Sequence, residues 1–237
     1  DFKLKATDVG YGGHLSALYK LNERHQFGIV YRSEIEHKYT GKAHLDNLNG
    51  NYAALFGGAS YETEVEAKST LPQSVVLGYS YKPNNKWLFN VDVEWMDWGS
   101  VNEELVTYPN ETAASGHLAF LDAGNPVNRD WTDAWSFGFG TEYSMTERFR
   151  LRGGYFYHQT PIPEATQEAS LPDSVSHSFT SGFGYDVTKN FTLDFAWAIM
   201  DYNTRTINNN VNDDYGGIDG SYHEWMSLLL ATATYKF

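Results

Sequence analysis

The sequence contains no cysteine, and this absence excludes several kinds of site at once. Without thiols the chain forms no disulfide framework, no thiolate zinc cluster and no cysteine-based catalytic centre. No stretch of about 18 apolar residues occurs either, which excludes a transmembrane helix. A β-strand that crosses a membrane needs only about 10 residues, of which every second one is apolar, so insertion through strands stays open.

Basic residues are scarce, because 17 Lys and Arg stand against 30 Asp and Glu, for a formal charge of −13. Nucleic acid is therefore excluded as a partner, since phosphate contacts require clustered Lys and Arg. None of the serines or the 8 histidines lies in a nucleophile elbow or at metal-ligand spacing. We expect no catalytic residues, no metal and no cofactor. A hydrolase whose Ser, His and acid are distant in sequence is the enzymatic alternative.

Aromatic residues are abundant, at 16%, and 21 glycines accompany them, a mixture typical of strands and turns. The stretch 220–237 alternates between two sets of side chains. One set is Leu229, Ala231, Ala233, Tyr235 and Phe237, and the other is Leu228, Leu230, Thr232, Thr234 and Lys236. Two-residue alternation that ends on a C-terminal Phe is typical of the closing strand of an outer-membrane β-barrel. For this stretch alone, an amphipathic strand of a soluble protein is the alternative.

Four short turns each have aromatic residues close by on both sides. They are Asn22-Glu23, Asn84-Asn85, Thr146-Glu147 and Thr188-Lys189. Aromatic rings beside every turn predict a girdle at a membrane–water boundary, where rings with a polar edge are most stable.

Two-residue periodicity continues between these turns and predicts nine strands. Their bounds are 9–21, 26–42, 64–82, 87–108, 131–143, 149–159, 175–187, 191–202 and 220–237. In each strand the aromatic side is nearly free of charge. Because a sheet in lipid must be closed and must turn its uncharged side outward, we predict an all-β, antiparallel, transmembrane up-and-down β-barrel as a single domain over 1–237. A soluble lipocalin-type barrel would have the reverse arrangement.

Long connections lie opposite the short turns, as extracellular loops do in such barrels. They cover 46–63, 110–130, 163–174 and 203–219. With the C-terminus at the short-turn end, nine strands put the start of the first strand at the extracellular end. Bacterial single-chain barrels have an even number of strands, so we expect an upstream portion to be missing.

The predicted lumen side carries apolar residues where a water-filled pore would be polar. These residues are Phe156, Met200, Met226, Leu228 and Leu230. They are either the wall of a hydrophobic ligand pocket, in which Met adapts to varied ligands, or a surface packed against a plug.

Three basic side chains share this predicted lumen side, namely Arg150, Arg152 and His158. Arginine offers a bidentate fork that suits the carboxylate of a fatty acid. The alternative is that they pair with lumen acids. The candidate acids are Glu142, Asp186 and Asp194.

The loop 48–56 is unusually apolar for an exposed connection, and it supplies the candidate ligand-capture residues. These are Leu48, Tyr52, Leu55 and Phe56. A hydrophobic landing site and a short helix packed on the barrel rim are the two interpretations. If the loop is a landing site, replacing Leu55 and Phe56 by Asp is expected to weaken capture without unfolding the barrel.

Four stretches resemble a known family. They are Tyr-Arg-Ser-Glu-Ile-Glu-His-Lys at 31–38, Leu-Pro-Gln-Ser-Val at 71–75, Trp-Thr-Asp-Ala-Trp at 131–135, and Gln-Thr-Pro-Ile-Pro at 159–163 followed by Leu-Pro-Asp at 171–173. In this order they resemble the FadL-type outer-membrane transporters of long-chain fatty acids, including TodX-like members for aromatic hydrocarbons. The resemblance implies that the nine strands are the C-terminal part of a fourteen-stranded barrel with an N-terminal hatch. The gating residues belong to that N-terminal part and are not carried over.

The resemblance and the apolar lumen residues together predict passive outer-membrane transport of hydrophobic molecules, above all long-chain fatty acids, captured at extracellular loops. The expected partners are a hydrophobic small molecule (fatty acid, aromatic hydrocarbon or detergent) and outer-membrane lipid. We expect a multi-pass monomer in the outer membrane of a Gram-negative bacterium. A general diffusion porin for small polar solutes is the alternative function, and an outer-membrane lipid hydrolase is a more distant one.

Overall fold

The computed structural model describes residues 1–101, 103–123, 125–209 and 218–237. They form fourteen β-strands, two short α-helices and three 3-10 turns. The strands are β1 (Phe2–Thr7), β2 (His14–Lys20), β3 (His25–Arg32), β4 (Ile35–Leu45), β5 (Tyr61–Leu71), β6 (Ser74–Tyr81), β7 (Trp87–Met96), β8 (Glu103–Thr107), β9 (Val127–Asn128), β10 (Ala134–Ser144), β11 (Phe149–His158), β12 (Ser176–Asp186), β13 (Phe191–Ile207) and β14 (Gly220–Tyr235). The helices are α1 (Gly50–Phe56) and α2 (Leu118–Leu121), and the 3-10 turns are Trp98–Ser100, Ala113–Ser115 and Glu164–Thr166.

The chain divides into two compact units, each assembled from several segments. The first unit contains 1–13, 33–73 and 99–131, and the second contains 14–32, 74–98 and 132–237. Each unit has a sheet of its own. The single domain over 1–237 therefore stays a prediction.

The second unit is a sheet of nine strands in the order β14-β13-β12-β11-β10-β7-β6-β3-β2, and all neighbours are antiparallel. The all-β class, the antiparallel pairing and the nine strands of the predicted barrel portion are confirmed. Among the described residues, β2 and β14 each pair along one edge only, so the nine strands form an open sheet.

The four predicted turns all close in the same way. In the first turn, the side-chain oxygen of Asn22 accepts hydrogen bonds from the N–H groups of Arg24 and His25, at 2.9 and 3.1 Å. Asn84, Thr146 and Thr188 accept the equivalent pair of bonds in the other three. A short polar side chain that caps two backbone N–H groups stabilises a tight reversal. The residue that marks each turn in the sequence is thus the residue that closes it.

One face of this nine-stranded sheet, the aromatic face, exposes its rings. Phe137, Phe139, Phe183, Phe195 and Trp197 are between 37% and 49% exposed. Rings on adjacent strands contact each other, with Phe183 and Phe195 at 5.5 Å between centroids. An exposed apolar surface that extends over a whole sheet is typical of contact with lipid, because water would disfavour it.

The opposite face of the sheet is rich in glycine, and we call it the glycine face. Its glycines are Gly28, Gly78, Gly138, Gly140, Gly154, Gly182 and Gly184. Six charged residues of β7, β10, β11 and β13 also point to this side, in agreement with the predicted lumen side: Asp92, Glu94, Glu142, Arg150, Arg152 and Asp194. Their absence from the aromatic face follows from the cost of a charge in hydrocarbon.

The first unit has a five-stranded sheet in the order β1-β4-β5-β8-β9 with its own hydrophobic core. The core residues come from β4, β5, α1, α2 and the segment after β8. They are Ala43, Leu45, Phe56, Val65, Tyr108 and Leu121. α1 and α2 thus contribute side chains to the core of a small sheet of their own.

Three of the predicted strand bounds are wrong, because each predicted strand is two strands in different sheets. The predicted 26–42 is β3 and β4, 64–82 is β5 and β6, and 87–108 is β7 and β8. β1 and β9 were not predicted at all. Residues 102 and 124 and the segment 210–217 of the predicted loop 203–219 lie outside the described residues.

Local chemistry accounts for two of these interruptions. Pro72, which follows β5, has no N–H to donate to a sheet. At the end of β3, the hydroxyl of Ser33 accepts a hydrogen bond from the N–H of Gly13 at 2.9 Å and donates to the carbonyl of Glu34 at 3.0 Å. A side chain that bonds nearby backbone groups competes with the strand ladder.

No helix among the described residues is long and apolar enough to cross a membrane.

Candidate functional site

All eight residues predicted for the lumen lie on the glycine face. They are Arg150, Arg152, Phe156, His158, Met200, Met226, Leu228 and Leu230. The register establishes this, because residues directly opposite each other in antiparallel strands point to the same side. Phe156, Ser178, Met200 and Met226 are successive cross-strand partners over four strands.

The five apolar members of this set form what we call the apolar band. Leu228 lies opposite Ala198, and Leu230 lies opposite Ala196, so small residues flank the larger ones. Phe156 and Leu230 line a groove of about 580 Å³ on the glycine face, and Arg152 lines it too. Met200, Met226 and Leu228 lie outside the groove. The structure therefore brings three of the eight predicted residues to one groove.

Both arginines are paired: Arg152 lies in the cross-strand row that ends at Leu230, and Arg150 lies one row farther, beyond the band. Arg150 donates two hydrogen bonds to Asp186, at 2.7 and 2.9 Å. Arg152 donates to Glu142 at 2.7 Å and to Asp194 at 2.5 Å. The acids are the three that the sequence offered as partners, so pairing is the arrangement that the structure has. A role in binding a ligand carboxylate stays a prediction.

His158 lies beyond the other end of the band, in a polar row. Its Nδ1 is 2.8 Å from the hydroxyl of the buried Ser136. On the same face, Arg32 lies 3.4 Å from Glu94 and donates to Ser74. Along β11 the glycine face thus presents the polar His158, the apolar Phe156 and then the charged Arg152 and Arg150.

Sequence analysis did not single out the residues that form the floor of the groove. Gly138, Gly140, Gly154 and Gly182 line it together with Asp92 of β7. Alternate glycines in consecutive strands were the available signal, because they all fall on one side of the sheet and leave space above it.

The candidate capture loop contains the short helix α1, while its packing on a barrel rim stays a prediction. The helix ends at Gly57, whose φ of 75° is left-handed, and Gly58 donates to the carbonyl of Ala53 at 2.9 Å. Leu48 packs against the core of the first unit and Phe56 is buried in it, whereas Tyr52 and Leu55 are exposed. Phe56, one of the predicted capture residues, is therefore covered, because its ring packs in the core.

A hydrogen-bonded group links α1 to the segment before α2. Tyr61 donates to Glu111 at 2.7 Å, and Nδ1 of His117 lies 2.8 Å from the same carboxylate. Nε2 of His117 lies 3.2 Å from the carbonyl of Leu55. The imidazole of His117 therefore lies between the Glu111 carboxylate and the end of α1.

Burial and ionisation oppose each other within this group. Burial disfavours the charge of Glu111, but hydrogen bonds from Tyr61 and His117 hold the pKa of this carboxyl below its usual value. Burial and the neighbouring Glu111 raise the pKa of Tyr61 to about 12. The group therefore keeps an ionised Glu111 and a neutral Tyr61 at neutral pH, and it ties α1 to the neighbouring loop.

The described residues contain no group of three or more His, Cys, Asp or Glu side chains placed to hold a metal ion.

The sequence profile of the family described as "Outer membrane protein transport protein (OMPP1/FadL/TodX)" matches residues 2–237. The chain belongs to this family. The resemblance drawn from the four sequence stretches is thus confirmed, and this FadL/TodX-family chain is a bacterial outer-membrane protein. The family is one of transport proteins, in agreement with the expectation that the chain is not an enzyme.

Two curated relatives illustrate the match of this FadL/TodX-family chain. It is 25% identical over 247 residues to an outer membrane protein of Neisseria meningitidis serogroup B, covering 99% of the chain and 52% of that protein. It is 22% identical over 204 residues to the long-chain fatty acid transport protein of Escherichia coli K12, covering 83% of the chain and 43% of that protein. The chain spans about half the length of the curated relatives it matches.

Two solved structures share the fold. A FadL homologue of Pseudomonas aeruginosa superposes with a TM-score of 0.76 at 19% identity, over 94% of this chain and 52% of that one. The toluene transporter TodX of Pseudomonas putida superposes with a TM-score of 0.61 at 20% identity, over 97% of this chain and 50% of that one. The nine-stranded sheet of the FadL/TodX-family chain is therefore a portion of the same kind of barrel.

Proposed function

We propose that the protein carries hydrophobic molecules passively across the outer membrane, with long-chain fatty acids as its main cargo. The observation that carries the proposal is the apolar band, in which Phe156, Met200 and Met226 share one cross-strand row. A porin for polar solutes has a polar interior and gains nothing from such a row. The names of the relatives, a long-chain fatty acid transport protein and a toluene transporter, support an apolar cargo.

The acyl chain of a fatty acid would lie along Phe156 and Leu230 in the groove, with its carboxylate toward Arg152. That guanidinium already bonds Glu142 and Asp194. A ligand carboxylate has the same chemistry as either side chain and would replace one of them, rather than meet an unpaired charge. Exchange of partners keeps binding reversible, as passive transport requires.

Capture before entry would use the exposed side chains of the helical segments in the first unit. Tyr52 and Leu55 of α1 are exposed, and the ring of Tyr52 lies 5.3 Å from that of Phe120 in α2. These three residues form an exposed apolar surface, and we call it the capture surface. The partners in this proposal are the apolar cargo and, along the aromatic face, outer-membrane lipid, with the protein as a monomer.

The apolar band is tested by Met200→Glu in the protein reconstituted into lipid vesicles. A carboxylate in the band must be desolvated by a passing acyl chain, so uptake of a labelled long-chain fatty acid should fall at least about tenfold. The matched control is Gln26→Glu, which adds the same charge to the glycine face on β3, outside the band. It should leave uptake within about twofold.

Equal uptake by Met200→Glu and the unaltered protein would contradict the role of the band. Entry of a small sugar into the same vesicles, at a rate that neither variant changes, would favour the porin.

A further inference from the structure

A pocket of about 370 Å³ lies between the loop that follows β11 and the far ends of β13 and β14, and we call it the end pocket. It belongs to the second unit and lies at the end of the sheet opposite the four short turns. Its walls are mainly apolar. The apolar residues that line it are Ala169, Pro172, Tyr202, Ile207, Ile218 and Tyr222. A cavity of about 150 Å³ is enough to admit benzene, so the end pocket has room for more carbon atoms than a single ring.

The end pocket continues the apolar band on the same face of the sheet. Tyr202 and Glu224 are cross-strand partners that line the pocket. They lie two residues beyond Met200 and Met226, which are the partners in the preceding row of the band. Residues two apart on a strand point to the same side and are about 7 Å apart. An apolar chain that lies in the band therefore meets the pocket directly beyond the two methionines.

A β-bulge turns the far part of β13 toward the pocket. Tyr202 pairs with Glu224 but Arg205 pairs with Tyr222, so two residues of β13 stand against one of β14 between these pairs. Without the extra residue, Arg205 and Ile207 would point to the aromatic face, as the earlier odd-numbered residues of β13 do. A bulge reverses the alternation beyond it and is common where a side chain is re-aimed next to a binding site. Arg205 and Ile207 accordingly line the end pocket.

Hydrogen bonds to the backbone hold the loop against the two strands. Arg205 donates to the carbonyl of Asp173 at 2.9 Å and to that of Ile162 at 2.5 Å. The hydroxyl of Ser174 donates to the carbonyl of Asn203 at 2.7 Å. A ligand that enters such a pre-formed pocket does not have to order the loop, and this lowers the cost of binding.

The charges at the end pocket favour the apolar end of a fatty acid over its carboxylate. Three carboxylates line the pocket, against one guanidinium. The acids are Glu168, Asp173 and Glu224, and the base is Arg205. His223 also lines the pocket, but its Nε2 lies 3.0 Å from the carboxylate of Asp201, which matches any charge on the ring. An anionic head is repelled by this excess of acids, whereas a methyl end is not.

The separation between Arg152 and the end pocket matches a long acyl chain. Arg152 lies in the cross-strand row of Ala196, and Tyr202 is six residues farther along β13, about 20 Å in an extended strand. An extended polypeptide advances about 1.2 Å per backbone bond, and an extended acyl chain has similar bond lengths and angles. On this scale a chain of about 16 carbons spans about 18 Å, whereas one of about 10 carbons spans about 11 Å and ends within the band.

We propose that the end pocket binds the methyl end of a long acyl chain whose carboxylate lies at Arg152, and that the protein thereby selects for chain length. The inference rests on the proposed transport of fatty acids, and it adds to it a second site and an orientation. Chains of about 16 carbons occupy both sites, and chains of about 10 carbons occupy only the first.

The test compares palmitate (C16) with decanoate (C10), binding to the folded protein in detergent at pH 7, followed by titration calorimetry. Ala169→Trp fills the end pocket, and Ala169→Asp adds a further carboxylate to it. Both variants should lower the affinity for palmitate about fivefold or more and leave the affinity for decanoate within about twofold.

The matched controls are Ala165→Trp and Ala165→Asp. Ala165 is exposed in the same loop, four residues before Ala169, and it does not line the pocket. These variants should leave the affinities for both acids within about twofold.

Palmitate affinity that survives both Ala169 variants would overturn the end pocket and leave the proposed transport intact. An equal loss of palmitate and decanoate affinity would also overturn it, because the effect would not depend on the far end of the chain. Failure of both acids to bind the folded, unaltered protein would overturn the end pocket and the proposed transport together.

Discussion

Gly184 of β12 lies where oppositely charged side chains converge. A Cβ at this position would lie 2.6 Å from a carboxylate oxygen of Asp194 and 3.3 Å from two guanidinium nitrogens of Arg150. The absent side chain is what lets the Arg150–Asp186 and Arg152–Asp194 pairs lie side by side. On this face glycine acts by leaving space for charge, rather than by backbone conformation.

Gly184→Ala should therefore destabilise the protein by about 1–3 kcal/mol, because the added methyl group displaces a paired charge. Denaturant unfolding in detergent measures the change. Gly140→Ala is the matched control, because a methyl group there meets nothing within 4 Å. It should be neutral or stabilising by up to about 1 kcal/mol, since alanine loses less backbone entropy on folding. Equal destabilisation by the two would contradict the crowding at Gly184.

α1 shows how one short element combines a structural side and an exposed side. Phe56 stacks on His117 at 4.7 Å and contacts Tyr61 at 4.9 Å between ring centroids, inside the core of the first unit. The side chain of the preceding residue, Leu55, is exposed, but its backbone carbonyl lies 3.2 Å from Nε2 of His117. Adjacent positions on a helix point in different directions, so neighbours in the sequence serve different purposes.

Phe56→Asp and Leu55→Asp should therefore have different effects. Phe56→Asp should destabilise the first unit by about 3–5 kcal/mol, because it removes a buried ring and buries a charge. Leu55→Asp should leave the unit folded and lower hydrophobic-ligand capture about threefold to tenfold. Limited proteolysis at 46–60 reports folding, and ligand binding reports capture. Unchanged capture in a folded Leu55→Asp would remove α1 from the proposed pathway.

For the whole molecule, the contrast between the two faces of the nine-stranded sheet determines where the protein resides. Rings such as Phe139 are 46% exposed, although an apolar ring is most stable away from water. The charges collect on the other face, where Arg150 and Arg152 are neutralised by carboxylates. Such a sheet has its uncharged side suited to lipid and its charged side suited to an interior.

Phe139→Lys should impair insertion into vesicles at a cost of about 2–4 kcal/mol, the scale for lysine on the lipid side of a barrel near mid-membrane. Ser80→Lys places the same charge on the glycine face and should insert normally. The folded fraction recovered with lipid after dilution from denaturant is the measurement. Normal insertion of Phe139→Lys would contradict contact of the aromatic face with lipid.

Much of this architecture was predictable. The nine strands of the second unit, the residues that close its turns and the side on which each lumen residue lies all follow from alternation and turn chemistry. The division of 26–42, 64–82 and 87–108 between two sheets was missed, because alternation continues through each break. The break at Pro72 could have been predicted, because proline has no N–H to donate to a neighbouring strand. The break at Ser33 could not, because its hydroxyl accepts a hydrogen bond from Gly13, which is distant in sequence.

The functional residues, too, were predictable in part. Two-residue alternation placed Arg152 and Phe156 on the correct side of the sheet. It did not decide whether the arginines bind a ligand carboxylate or pair with lumen acids. The structure shows the pairs, one of which joins residues 42 positions apart. The two cross-strand neighbours of Asp92, Gly78 and Gly138, were invisible in the sequence, because the pairing of β7 with β6 and β10 depends on register.

The sequence by itself determined which way the side chains point, because in an extended backbone successive residues face opposite sides whatever their partners are. Only the tertiary structure decided which side chains meet, because that depends on the register between strands that are far apart in the chain. The side of the sheet on which each residue lies depends on direction alone and was predictable. The groove and the neutralised arginines depend on register, and so they required the structure.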